Sequence, residues 1–265
     1  MARVVAITNH KGGSGKTTTA TNLAAALRLK GFDVLIIDAD AQANATQTFR
    51  APTDGGTTFD TIKEPVTPYV QPYRVYGPTE SAGVLDILPS SRELSTLDVT
   101  KSEDGGGLRL KNVVNKYRPK YDFIFIDTPP TLGFMILAAL LASEEIIAPS
   151  RPNYYDLEGL GGLDSTIGMV NTFRPFDLVF TLLLTQYDGR KVLHRRTLEI
   201  LSKDEHLRMF KTPIRDNVAL AEAPTAGKDI FAYAPTSNGA RDYAAVADEY
   251  IALTHVEHVD HKYKG

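Results

Sequence analysis

The chain has 265 residues, with 29 Lys and Arg against 32 Asp and Glu and a formal net charge of −3. That balance excludes a protein that coats nucleic acid by overall charge, while leaving local basic patches open. The absence of cysteine excludes disulfides and thiolate metal sites and fits a reducing cytosol. With no signal-peptide pattern and no apolar run of membrane-spanning length, the expectation is one α/β domain over residues 1–265 with a sizeable core.

Residues 4–7, Val-Val-Ala-Ile, read as a short buried strand and residues 19–30 as a helix. Between them lies His10-Lys11-Gly12-Gly13-Ser14-Gly15-Lys16-Thr17-Thr18, a match to GxxxxGK[ST]. A glycine-rich turn between a strand and a helix N-terminus binds anions, because its N–H groups converge and the helix dipole favours negative charge. Gly12, Gly13 and Gly15 let that turn curl without side-chain clashes. In such a motif Lys16 reaches the β- and γ-phosphates and the Thr17 hydroxyl sits on Mg²⁺. Residues 12–18, that is Gly12, Gly13, Ser14, Gly15, Lys16, Thr17 and Thr18, are therefore candidate nucleotide ligands. Lys11 is the unusual member. Two ammonium groups crowded around one phosphate chain are poorly used in a monomer, whereas an outward-pointing Lys11 reaches the nucleotide of a facing subunit. With this second lysine the motif resembles the deviant Walker A of the ParA/MinD family of dimerising ATPases, in which that lysine is the signature. The resemblance implies ATP and Mg²⁺ as ligands, a homodimer formed on ATP binding, and catalytic roles for Lys11 and Lys16.

Residues 32–38 form an apolar run ending in Asp38, as in a buried parallel strand. Asp38 and Asp40, in Asp-Ala-Asp-Ala-Gln-Ala-Asn, then stand at the strand edge where ligands bind in open α/β sheets. The segment is similar to the family's D-x-D-x-Q-x-N motif, which implies that Asp40 orients the attacking water and Asp38 supports Mg²⁺. Residues 50–83, rich in Pro, Gly, Thr and Tyr, read as a loop packed over the sheet. Residues 84–88 read as a third strand, 103–107 as a turn and 108–117 as a helix. Residues 121–127 are a second apolar run ending in acid, Asp127, followed by Thr128-Pro129-Pro130. That is a Walker B arrangement with Asp127 directed at Mg²⁺, in the family's IDTPP wording. An apolar helix at 132–142 and a strand at 146–149 follow.

Tyr154-Tyr155-Asp156-Leu157-Glu158-Gly159 resembles the YYxLEG segment of partition ATPases, which implies that Glu158 lies near the partner's nucleotide; a bland surface helix explains the acid equally well. After a strand at 177–185, the span 190–215 concentrates Arg190, Lys191, Arg195, Arg196, Lys203, Arg208, Lys211 and Arg215 against three acids. Such a patch suits a DNA backbone, although a solvated charged helix has the same composition. The resemblance favours the first reading and makes Arg190, Lys191, Arg195, Arg196, Lys203 and Arg215 the candidates. Ala219 stands where relatives often carry an arginine. IRDNVALAEAP, residues 214–224, looks like the family segment that runs along the adenine, and Asn217 alone is carried over from it. A helix at 237–253 closes the domain, and His255, His258 and His261 belong to a tail at 255–265 that reads as flexible and solvated rather than metal-binding.

The expected fold is a doubly wound, mainly parallel sheet with helices on both faces, with no room before Arg3 for a helix-turn-helix module. The resemblance implies a short partition ATPase that binds DNA without sequence preference, works with a ParB-like centromere-binding partner and resides in the cytoplasm on the nucleoid. Two rivals stand beside it. A MinD-like membrane ATPase needs a basic amphipathic C-terminal helix, which Asp248, Glu249, Glu257 and Asp260 interrupt; a P-loop ligase or transferase shares the fold but not the paired lysines.

Overall fold

A computed structural model describes residues 1–63, 69–97, 107–131, 133–153, 156–157 and 160–262, with side chains through Thr254. Seven strands form one sheet in the order β3-β4-β2-β5-β1-β6-β7: β1 Arg3–Ile7, β2 Val34–Asp38, β3 Tyr73–Tyr76, β4 Leu85–Leu88, β5 Phe123–Asp127, β6 Glu145–Ser150 and β7 Val179–Leu184. All neighbours run parallel except β3, which is antiparallel to β4. The central strands are continuous apolar runs because both of their faces are covered. Along β1, Val4 and Ala6 enter one hydrophobic core while Val5 and Ile7 enter the other, as the two-residue period of a strand requires. One core lies under the helices Gly107–Tyr117, Phe134–Ala142 and Leu160–Asn171; the other lies under helix α1, Lys16–Leu29, and the C-terminal helix Asn238–Lys262. The expected doubly wound fold is what forms.

The structure differs from the sequence reading in the 50–83 segment and at the end of the last helix. The 50–83 segment holds more than loop: helix Thr58–Ile62 starts at a Thr57/Asp60 capping box, and β3 adds the antiparallel edge. β3 is short and half-exposed, so no periodicity announces it; it is held by the Arg74 guanidinium on the buried Asp86 carboxylate, which also accepts from the Tyr121 hydroxyl at 2.7 Å. The last helix runs on to Lys262, past the boundary drawn at 253. Its acids are used by the fold, Asp248 pairing with Lys30 at 2.6 Å and Glu249 accepting from the Lys211 and Thr212 amides at 2.7 and 3.0 Å. The turn expected at 103–107, apart from Gly107, and the side chains of His255, His258 and His261 lie outside the described residues.

Candidate functional site

The phosphate-type turn follows β1 directly. Gly13 and Gly15 take positive φ values of 71° and 92°, conformations that cost a residue with a Cβ but not glycine. Gly15 is the N-cap of α1 and supplies no side-chain cap, which leaves the first-turn amides to a ligand. The turn is held from below, the Lys11 amide donating to Asn9 Oδ1 at 3.1 Å and Asn9 Nδ2 donating to the Pro149 carbonyl at 2.7 Å. It is also held from the side, Thr185 Oγ1 donating to the Ser14 carbonyl and Gln186 Nε2 to the Gly13 carbonyl, both at 2.8 Å. The buried Lys16 ammonium curls back onto the Lys11 carbonyl at 3.2 Å. Burial lowers its pKa, and the nearby Asp127 and Asp40 charges oppose that shift. Lys11 itself is half-buried at the mouth of the turn.

Sheet register brings the acids together. Asp38 at the end of β2 is directly paired with Asp127 at the end of β5, and Asp127 with Ile7, just ahead of the turn. Asp38 is anchored by the Thr46 amide at 2.8 Å, the Thr46 hydroxyl at 2.6 Å and the Asp40 amide at 3.2 Å. Burial nonetheless pushes its carboxyl up to about 6, with Asp40 adding to the shift. Burial and then Asp38 push the Asp127 carboxyl well above its ordinary range, against the pull of the Thr17 hydroxyl and of Lys16. No hydrogen bond of good geometry reaches either Asp127 oxygen. Two buried carboxylates side by side, one of them orphaned, beside a threonine hydroxyl form an oxygen donor set that suits a hard divalent cation. Thr17, Asp38 and Asp127 therefore fit Mg²⁺.

Most of the orphaned uncharged groups, together with Asp127, gather at one edge, whereas the other buried atoms without a hydrogen bond of good geometry belong to the charged side chains of Arg3, Arg118, Glu145 and Arg208 elsewhere, none of which lacks a partner. Thr8 Oγ1, His10 Nε2, Ser14 Oγ, Ser90 Oγ, Ser150 Oγ and both Asp127 oxygens are buried without hydrogen-bond partners, and all follow or end a strand at the carboxyl edge of the sheet. Buried polar atoms without partners are rare and costly in native proteins, so this concentration marks where a polar ligand belongs.

The strain has a testable sign. A carboxyl whose folded pKa is raised carries a penalty that is present above that pKa and gone below the unfolded value near 3.8. Asp127→Asn should therefore raise the stability of the ligand-free protein at pH 8 by about 1–3 kcal/mol, and the gain should shrink as pH falls and vanish near pH 4. Thermal denaturation of both proteins across that range checks it; a gain that grows toward low pH would contradict the assignment.

Beside the turn opens a cleft of about 330 Å³ lined by Gly15, Thr18, Gln186, Asp216, Asn217 and Tyr243, among others. Asn217 caps helix Val218–Glu222, its Oδ1 accepting from the Ala219 amide at 2.9 Å, which leaves its amide NH₂ as a donor for a ligand. Lys11, Gly12, Gly13, Ser14, Gly15, Lys16, Thr17, Thr18, Asp38, Asp40, Asp127 and Asn217 thus share one edge of the sheet and the adjoining cleft. Glu158 lies outside the described residues. Sequence reasoning missed Thr46, which bonds Asp38 from eight residues further along the chain, and Thr185 and Gln186, each joined to the site by a contact across the fold that no local pattern signals.

The basic candidates divide. Helix Val192–Ser202 buries none of its residues, and Lys191, Arg195 and Arg196 are exposed at its N-terminal half. Arg195 donates to the Gly189 and Arg190 carbonyls at 2.7 and 3.0 Å. Arg190 is paired with Asp188 at 2.9 Å and Lys203 with Glu199 at 2.7 Å. The structure places Arg215 apart in role from the others, lining the cleft and held by Asp242 at 2.5 Å.

Comparison with known proteins agrees with this geometry. Residues 2–177 match the AAA domain family AAA_31. The chain is 35% identical to the sporulation initiation inhibitor protein Soj of Bacillus subtilis, covering 95% of this chain and 99% of that one. It is 36% identical to the chromosome-partitioning ATPase Soj of Thermus thermophilus, covering 94% and 96%. Among solved structures, cobyrinic acid a,c-diamide synthase from Mycobacterium smegmatis with bound ADP and magnesium superposes with a TM-score of 0.78 at 27% identity, covering 95% and 94%. Paired lysines in the turn, two acids in sheet register behind it and this kinship along the whole chain lead to one conclusion: the protein belongs to the ParA/MinD family of ATPases and is Soj-like within it.

Proposed function

We propose that the protein is an ATP-operated dimerising switch that binds DNA without sequence preference and hydrolyses ATP to drive partition of a plasmid or chromosome. The observation that carries the nucleotide site is the cluster of partnerless buried polar atoms around the glycine turn and Asp127. In this reading Lys16 and the turn amides hold the phosphates, the adjoining cleft takes the nucleoside beside Asn217, and Thr17, Asp38 and Asp127 hold Mg²⁺. The cation supplies charge neutralisation at the phosphates. Asp40 orients a water for in-line attack, and Lys11 crosses to the facing subunit's phosphates, so that ATP and pairing become one event. Hydrolysis opens the dimer and releases the DNA, a step that a ParB-like partner accelerates. Such a protein works in the cytoplasm, on the nucleoid.

For DNA, the reading rests on Lys191, Arg195 and Arg196, on a helix none of whose residues is buried. Arg190 and Lys203 join them because exposed ion pairs are weak and can be exchanged for phosphate. With about five phosphates contacted, log affinity in the ATP state should fall against log salt with a slope near −4.5. Removing three of those five contacts, by replacing Lys191, Arg195 and Arg196 with alanine, should flatten that slope by roughly 2.7. DNA retention measured with ATP, with ADP and without nucleotide tests the switch; equal retention in all three states would sink it.

The diamide synthase shares the fold, so fold alone does not choose between a switch and a small-molecule transferase. Phosphate release with no acceptor present separates them. A membrane role draws no support from the C-terminal helix, whose Asp248 and Glu249 are committed to the domain. Among the described residues no helix is long and apolar enough to cross a membrane.

A further inference from the structure

Consecutive residues of a strand point to opposite faces, yet Thr185 and Gln186, just past β7, both reach the glycine turn. The backbone explains how. The Thr185 amide continues the β6 ladder by donating to the Ser150 carbonyl at 2.9 Å, and the Tyr187 amide donates to the Ile214 carbonyl at 3.0 Å. Between these two anchors Gln186 takes a left-handed φ of 51°, a conformation unfavourable for a side chain of its size. That reversal turns two successive side chains to the same side. Strain of this kind persists where the surroundings over-determine it, and it collects at functional sites.

Their targets are the carbonyls of Ser14 and Gly13, both at 2.8 Å. A trans peptide is planar, with its C=O and the following N–H directed oppositely. Drawing the Gly13 carbonyl toward Gln186 therefore turns the Ser14 amide the other way, and drawing the Ser14 carbonyl toward Thr185 does the same to the Gly15 amide. Glycine-rich turns rotate freely, and a peptide that flips presents a carbonyl oxygen to an anion in place of a donor. The fit at Thr185 is close: a Cβ built on Gly15 would stand 3.6 Å from its methyl carbon. Thr185 is buried, and the Ser14 hydroxyl beside it is buried and partnerless.

We propose that Thr185 and Gln186 are positioning residues that lock two peptide planes of the turn, so that the Ser14 and Gly15 amides are aimed at a bound polyphosphate before it arrives. This rests on the reading of the turn as a nucleotide triphosphate site. Pre-aimed donors need no reorganisation on binding, so the clamp appears in affinity for phosphate and not for the nucleoside.

Thr185→Val keeps the shape and the methyl against Gly15 but removes the donor; Thr185→Ser keeps the donor. By calorimetry with Mg²⁺ and ATP, Thr185→Val should raise Kd roughly tenfold, and Thr185→Ser should stay within about twofold of wild type. Gln186→Met, at an exposed position where folding is not threatened, should raise Kd by about threefold. Because Thr185 and Gln186 also line the adjoining cleft, the control is inorganic triphosphate with Mg²⁺, whose affinity should fall by the same factors as that of ATP. Unaltered ATP affinity in both Thr185→Val and Gln186→Met would overturn the clamp, as would a loss for ATP with none for triphosphate, which would mean that these side chains act on the nucleoside. Should Thr185→Val not fold, Gln186→Met decides alone. A wild-type protein that binds neither ATP nor ADP would overturn the nucleotide reading and the clamp with it, whereas wild-type binding with unaffected variants overturns only the clamp.

Discussion

Asp40→Ala is expected to bind ATP, to pair, and then to remain paired. Asp40 lies buried just beyond the end of β2, its Oδ1 occupied by the Gln42 amide at 2.9 Å. It sits within electrostatic reach of both Lys16 and Asp127, where the phosphate turn and the two in-register acids meet. A carboxylate there is placed to accept a hydrogen bond from a water that attacks the terminal phosphate. In the proposed site it is not needed to hold the nucleotide, a task assigned to the turn amides and Lys16. Loss of a positioned base or water-orienting group costs about 10²–10⁴ in rate. Phosphate release should fall by that factor while size-exclusion chromatography with ATP shows a persistent dimer. Only monomer with ATP, or hydrolysis at the wild-type rate, would remove Asp40 from that role.

The second large effect is expected at Lys11. Lys16 already occupies the floor of the turn, bridging back to the Lys11 carbonyl, so the site has its own ammonium before Lys11 is considered. A second one on the same phosphates would add like-charge repulsion to the desolvation that already lowers the pKa of Lys16. Crossing to the facing subunit avoids that cost and offsets the negative charge that two triphosphates would otherwise bring face to face. Lys11→Ala should leave ATP affinity of the monomer within about threefold and weaken ATP-dependent dimerisation by roughly 10²-fold or more, the scale for truncating one member of a close interfacial charge pair. Hydrolysis should drop with it by about 10²–10³, as when one transition-state donor is lost. Light scattering and nucleotide titration measure the two quantities separately. Unchanged dimerisation would refute the crossing lysine; lost nucleotide binding would place Lys11 on its own subunit's ATP.

Much of the site was legible along the chain because its signals are local. A strand, three glycines, a lysine and a threonine in succession specify an anion-binding turn wherever a sheet forms around them. Two apolar runs ending in Asp38 and Asp127 place acids at a sheet edge for the same reason. The 50–83 segment was read less well. Its β3 is defined by pairing with β4 through Arg74 and Asp86, a partnership between residues that no periodic pattern connects.

Charge counting was similarly blind to partners. Arg215 is one more cation in a basic stretch until Asp242, on the C-terminal helix, takes its guanidinium and fixes it in the cleft. Composition located the basic span. Folding then decided which of its charges pair with carboxylates and which carboxylate each one meets.

Sequence alone determined the fold class, the phosphate turn and the identities of the two acids, because each is written in neighbouring residues and their hydrophobic period. Tertiary structure alone decided that Asp38 stands in register with Asp127, that partnerless polar groups collect at one sheet edge, and that Thr185 and Gln186 close on the turn from a strand more than a hundred residues away. The physical reason is that hydrogen bonds and electrostatic fields act through space. Residues far apart in the chain become neighbours only when sheet register is chosen, and that choice is made by burial of the whole core rather than by any one segment.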